Sequence, residues 1–139
     1  MYQTILVPID GSEPANRAVE HALDLAENYG AAIHTLHVVD TARYGEPTLS
    51  SAEIVLNELE ERGYGLLEEV ADLADDRAVV AGTRLCRGRP QQEILEYADE
   101  IDADLIVLGS RGQSHQLGGH IGSVAERVVR SADRPVLTT

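Results

Sequence analysis

Apolar runs of strand length alternate with amphipathic stretches of helical length along this whole chain, and that alternation leaves few folds open. "YQTILVPI" (Tyr2–Ile9) is short, apolar and rich in β-branched residues, which reads as a first strand. In "ANRAVEHALDLAENYG", Ala18, Ala22, Leu25 and Ala26 share one helical face and Gly30 ends the helix. "AAIHTLHVV" is a second strand, and "DTARYGEPTLSS" after it is a polar loop, expected to be the most mobile part of the chain. A long acidic helix follows from about Ala52 to Leu73, weakened at Gly63 and Gly65 by about 1 kcal/mol each relative to Ala. "RAVVAGTRLC" is strand three, "RGRP" opens the helix "QQEILEYADEI", and "ADLIVLG" is strand four. "VAERVVRSA" is the last helix and "RPVLTT" a short fifth strand. Strands that alternate with helices predict one α/β domain over residues 1–139, an open parallel sheet clad on both faces by right-handed crossovers.

The core of such a sheet is aliphatic, and the composition agrees: five Tyr, no Phe and no Trp. No stretch approaches the ~18 apolar residues of a membrane span. The N-terminus lacks the basic segment of a secretory signal, and the single Cys86 has no disulfide partner within the chain, so a cytoplasmic protein without membrane attachment is expected.

Charge narrows the partners. All basic residues are Arg, 11 against 24 acids, for a net charge of −13. Such a surface repels phosphate backbones, which argues against a nucleic-acid partner. Abundant acids without Lys resemble the surfaces of halophilic proteins, where dense screening makes self-repulsion tolerable. A GC-rich genome that encodes Arg in place of Lys gives the second reading of the same bias.

The segment "LIVLGSRGQSHQLGGHIGSVAERVV" carries the chemistry. In open α/β sheets ligands lie beyond the carboxyl ends of the strands, and strand four ends at Gly109. Gly109 and Gly112 let backbone N–H groups approach an anion closely. Ser123 and Glu126 have capping-box spacing, which places a helix N-terminus there, with its exposed N–H groups and positive dipole end. Backbone dipoles, with Arg111, can therefore hold a phosphate on an acidic chain. The same pattern also describes a capped helix after a glycine-rich loop with no ligand at all. It is neither a P-loop, since no "GK[ST]" follows, nor a dinucleotide G-x-G-x-x-G, since strand one runs into "DGSEP".

"GSRGQSHQLGGHIGS" reads G-x2-G-x9-G-[ST], and this spacing resembles the ATP-binding branch of the universal stress protein family. "ILVPIDGSEPANRAVEHALDLA", "LHVVD" and "RPVLTT" are similar to that family's opening, second-strand and closing segments. The resemblance implies a Rossmann-like five-stranded parallel sheet in the order 3-2-1-4-5. It implies ATP, with Mg²⁺, held as a ligand or slow switch between strands one and four, and a homodimer formed through strand five. Position by position, Pro8 and Asp10 match the end of strand one that faces the adenosine. Val38 matches an adenine contact, and Gly109, Arg111, Gly112, Gly122, Ser123 and Val124 match residues that wrap the ribose and phosphates. The loop interior "QSHQLGGHI" is richer in glycine than the family pattern. Two other functions stand beside this one: an enzyme that transfers AMP or slowly hydrolyses ATP, and a structural or signalling dimer whose pocket stays empty.

Outside that motif, Asp10 also suits a turn residue. Ser12 and Ser110 have no adjacent base, and no Cys/His spacing matches a zinc site. His115 and His120 read as solvated loop residues, His34 and His37 as structural, and Cys86 as a small buried apolar residue rather than a nucleophile.

Overall fold

The computed structural model describes residues 2–41, 50–110 and 122–139. The elements follow as β1 (Thr4–Pro8), α1 (Glu13–Tyr29), β2 (Ala32–Asp40), α2 (Ser50–Asp76), β3 (Ala81–Gly88), α3 (Pro90–Glu100), β4 (Leu105–Leu108), α4 (Ser123–Ser131) and β5 (Val136–Thr138). All strand pairs are parallel, in the order β3-β2-β1-β4-β5. The expected α/β architecture and strand order are therefore present.

Strand alternation divides the core between two faces. Ile5 and Val7 of β1, with Ile9 just beyond it, pack with Ala18, Ala22, Leu67 and Val70 of α1 and α2. Leu6, with Leu36 of β2 and Ile106 of β4, packs on Ile94, Ala98 and Val128 of α3 and α4. Ile5, Leu6 and Val7 are fully buried, each stabilising by roughly 1.5–3 kcal/mol. The alanine face of α1 lets that helix lie close on the sheet. Ser12 caps α1, its Oγ accepting the Ala15 N–H at 3.3 Å, and Gly30 ends it at φ +65°.

Three boundaries differ from expectation. α2 extends to Asp76, and Arg77–Val79 form its C-terminal turn instead of opening β3: the Arg77 and Ala78 N–H groups donate to the Ala74 and Asp75 carbonyls. Arg77 is held there by Glu20, Asp24 and Glu27 of α1. β3 continues to Gly88, two residues past Cys86. α4 begins at Ser123, with Gly122 as its cap.

Gly63 does more than weaken α2. A Cβ there would lie 2.5 Å from His37 Cδ2 and 2.8 Å from Leu85 Cδ1, so the helix sits closer to the sheet than a side chain would allow.

Candidate functional site

The expected site residues lie at the carboxyl ends of the strands and at the start of α4. Leu6 of β1 faces α3 and α4, and β1 ends at Pro8, two residues before Asp10. β1 pairs with β4 and with β2, where Pro8 stands opposite Leu36. Val38, two residues beyond Leu36, is half-buried and packs on the same cluster as Leu6. Val38 and Val124 at the start of α4 therefore border one end of one face, while Gly109 turns toward α1 on the other. Arg111 and Gly112, with His115 and His120, lie outside the described residues.

The loop after β1 is held rigidly. Asp10 Oδ1 accepts the Ser12 N–H at 2.9 Å and the Ser12 hydroxyl at 2.5 Å, and Gly11 between them adopts φ +82°. The turn role read for Asp10 is therefore present, built on one carboxylate oxygen. The Ile9 N–H donates to Leu36 O at 2.9 Å, and His37 Nδ1 lies 2.8 Å from Ile9 O. A carbonyl only accepts, so Nδ1 carries the proton and His37 is structural, as expected. His34 is structural as well, with Nδ1 3.5 Å from the Tyr97 hydroxyl and the rings edge to face.

Gly109 has a packing reason that its place in the motif did not reveal. A Cβ there would lie 2.7 Å from Ala15 N and from Pro14 C, both backbone atoms of α1's first turn. The chain leaving β4 is fixed from two further sides. Ser110 N–H donates to Thr139 O at 3.0 Å, and Thr139 N–H to Leu108 O at 3.1 Å. Thr139 Oγ donates to Pro14 O at 2.9 Å. Gly122 N–H donates to Ser110 O.

Gly122 takes the extended cap conformation, φ −70° and ψ 159°, with no side chain capping the helix. Ser123, expected as the cap, is the first helical residue and is exposed. Glu126 N–H donates to Gly122 O at 2.9 Å, and its carboxylate pairs with Arg130 at 2.9 Å. The capping box is absent because Ser123 lies inside the helix. Among the described residues no side chain caps the first turn of α4, the arrangement an anion complements.

Two features escaped the sequence reading. Arg87 at the end of β3 donates to Glu60 at 2.9 Å, Glu53 at 3.3 Å and Asn57 at 3.2 Å, and these carboxylates raise its pKa further. The spacing of Glu53, Asn57 and Glu60 on one helix face was its only signal. The second is a groove of about 570 Å³ between α1 and α2, lined by Ile9, Val19, Leu66, Val70 and Leu73. It lies on the sheet face opposite Val38. Cys86 is half-buried rather than buried, and its thiol is pushed up to about 12, first by desolvation and then by the Glu93 carboxylate. Such a thiol is a poor nucleophile at neutral pH.

Comparison with known proteins adds ancestry to this geometry. The model of the universal stress protein family matches residues 1–139. The chain is 36% identical to universal stress protein MJ0531 of Methanocaldococcus jannaschii over 138 residues, 99% of this chain and 81% of that protein. Its fold superposes on protein MJ0577 of the same organism with TM-score 0.92 at 27% identity, covering 100% of this chain and 96% of that one. A universal stress protein solved in complex with cAMP matches with TM-score 0.75 at 29% identity, over 99% and 96% of the two chains.

Proposed function

The chain belongs to the universal stress protein family, and from that premise we propose that it binds ATP in the crevice between β1 and β4, as a ligand or slow switch. The observation that carries this reading is that Val38 of β2 and Val124 of the first turn of α4 pack on one cluster with Leu6 of β1. The base lies over Val38 and the ribose near Asp10. The phosphates lie on the turn Gly122–Ser123–Val124 with Gly109, Arg111 and Gly112. The cAMP complex of a relative supports an adenine nucleotide as the ligand class.

Among the described residues no group of three or more His, Cys, Asp or Glu side chains converges. Mg²⁺ therefore enters with the phosphates rather than in a protein cage. No side chain described here is placed to orient water on a γ-phosphate, so hydrolysis is slow. Pairing into a homodimer uses β5, the edge strand, where Leu137 is 40% exposed. The acidic, Lys-free surface fits a high-salt cytoplasm and disfavours nucleic acid. Among the described residues no helix is long and apolar enough to cross a membrane.

A second reading, a structural dimer with an empty crevice, draws on Gly109, whose glycine is explained by α1 without any ligand. Thermal unfolding in several molar KCl with ATP, ADP, AMP and GTP, each with and without Mg²⁺, separates the two. A ligand at 100 times its Kd adds about 2.7 kcal/mol, so ATP raises the midpoint by several degrees and GTP does not. Gly122→Val, whose φ of −70° suits Val, removes the ATP shift and keeps the fold. A midpoint that ignores every nucleotide supports the empty dimer instead.

A further inference from the structure

The base end of the crevice has a side wall that neither the motif nor the family match assigns. Val38 stands directly opposite Cys86 in the β2–β3 ladder, and both side chains pack toward the α3 and α4 face. Two residues on, Gly88 adopts φ +155°, and the space its Cβ would fill belongs to Glu93. The missing Cβ would lie 2.9 Å from Glu93 Cγ and 3.1 Å from Oε2. Glu93 belongs to the first turn of α3, where the helix dipole favours an anion. Its carboxylate lies close enough to Cys86 to push the thiol up, after burial. The backbone of β3 thus seats a half-buried carboxylate on the face of Val38, beside the strand neighbour of Val38.

We propose that Glu93, seated in the space left by Gly88, is the residue that selects an aminopurine over an oxopurine at the base end of the crevice. This rests on the reading that the base lies over Val38. An ionised carboxylate accepts hydrogen bonds and cannot donate one. The exocyclic amine of adenine gives it a donor. The carbonyl at the same position of guanine sets a second acceptor against a negative charge, with no proton between them. A site built to receive an N–H group rejects a ligand that lacks it far more strongly than an apolar pocket rejects a change of shape. The Cys86 thiol, pushed up to about 12, stays protonated beside that carboxylate at neutral pH.

Binding of ATP, GTP and purine riboside triphosphate, which lacks the amine, is measured on the full chain by equilibrium dialysis in molar KCl. The wild type is expected to bind ATP about tenfold or more tighter than either of the others. Glu93→Gln keeps an acceptor for the thiol and adds a donor that suits the guanine carbonyl, so the ATP-to-GTP preference falls by about tenfold. ATP binding with a preference unchanged by Glu93→Gln overturns the role of Glu93 and leaves the crevice intact. If the wild type binds the triphosphate without an amine as tightly as ATP, the role fails without recourse to any variant. Failure of the wild type to bind ATP removes the crevice reading itself, and this inference with it.

Discussion

Gly109 and Ala15 are packed so closely that a Cβ on Gly109 would stand 2.7 Å from the Ala15 backbone nitrogen. The first turn of α1 therefore rests on the backbone that leaves β4, and it is fixed there again by Thr139 Oγ on Pro14 O. Backbone cannot step aside as a flexible side chain can. Gly109→Ala should cost about 1–3 kcal/mol by overpacking, measured by urea unfolding of the nucleotide-free protein. A loss seen only when ATP is present would show that α1 tolerates the Cβ and that Gly109 serves the ligand alone.

Gly63 and Gly65 lie two residues apart in α2 and should respond oppositely to the same change. A Cβ at Gly65 meets nothing within 4 Å, whereas one at Gly63 runs into His37 and Leu85. Gly65→Ala gains helix propensity and should stabilise by about 0.5–1 kcal/mol. Gly63→Ala gains the same propensity but must displace the His37 ring, which holds the Ile9 carbonyl at 2.8 Å. Its net effect should be destabilising by about 1–3 kcal/mol. Equal midpoints for the two variants would mean that α2 does not sit on His37 as described.

Arg134 ties the end of α3 to the start of β4. Its guanidinium donates to Ala98 O at 2.7 Å, Ala103 O at 2.8 Å and Asp99 at 2.7 Å, with the side chain 13% exposed. The planar fork reaches partners that a lysine ammonium does not span together. Arg134→Lys should cost about 1–2 kcal/mol and Arg134→Ala more, because buried carbonyls lose charged donors. Chemical denaturation of the three proteins tests the order; equal stability of the Arg and Lys forms would reduce Arg134 to a surface charge.

The sheet was legible in the sequence because each strand is a short aliphatic run and each helix has a periodic face, and neither signal depends on distant residues. The boundary between α2 and β3 was not, since Arg77 ends the helix through carboxylates of α1 at least 50 residues earlier in the chain. The cap of α4 was misplaced for a related reason. Ser123 and Glu126 have the right local spacing, but Gly122 takes the cap position and is bonded to the Ser110 carbonyl, a contact outside the local pattern. Gly109 and Gly63 read as a ligand contact and a helix flaw, respectively. Each also faces a close neighbour distant in sequence, which no local pattern records.

Asp104 should shape the acid limb of the stability curve. Its Oδ2 accepts the Gln3 and Thr4 N–H groups at 2.8 and 2.9 Å, and these bonds lower its pKa below the ordinary carboxylate value. A depressed folded value contributes stability that is fully present above about 3.9, the unfolded value, and is lost as pH falls through the lower folded one. Asp104→Asn should therefore lower stability near pH 6 and flatten the decline below pH ~4. Parallel acid limbs for the two proteins would show that the carboxylate does not prefer its charged form in the fold.

Cys86 should act at the opposite end of the pH scale. Burial first, and the Glu93 carboxylate second, push its thiol up to about 12, while an unfolded chain exposes a thiol of about 8.5. The raised value contributes stability that is present below about 8.5 and is lost as pH rises from there toward the folded value. Thermal midpoints should thus fall above pH ~9 in the wild type and fall less in Cys86→Ala, which has no thiol to ionise. The same displacement keeps the thiolate scarce in the folded protein, so iodoacetamide at pH 8.5 should label native Cys86 at least tenfold more slowly than the denatured chain. Equal labelling rates would place the thiol in open solvent and separate it from Glu93.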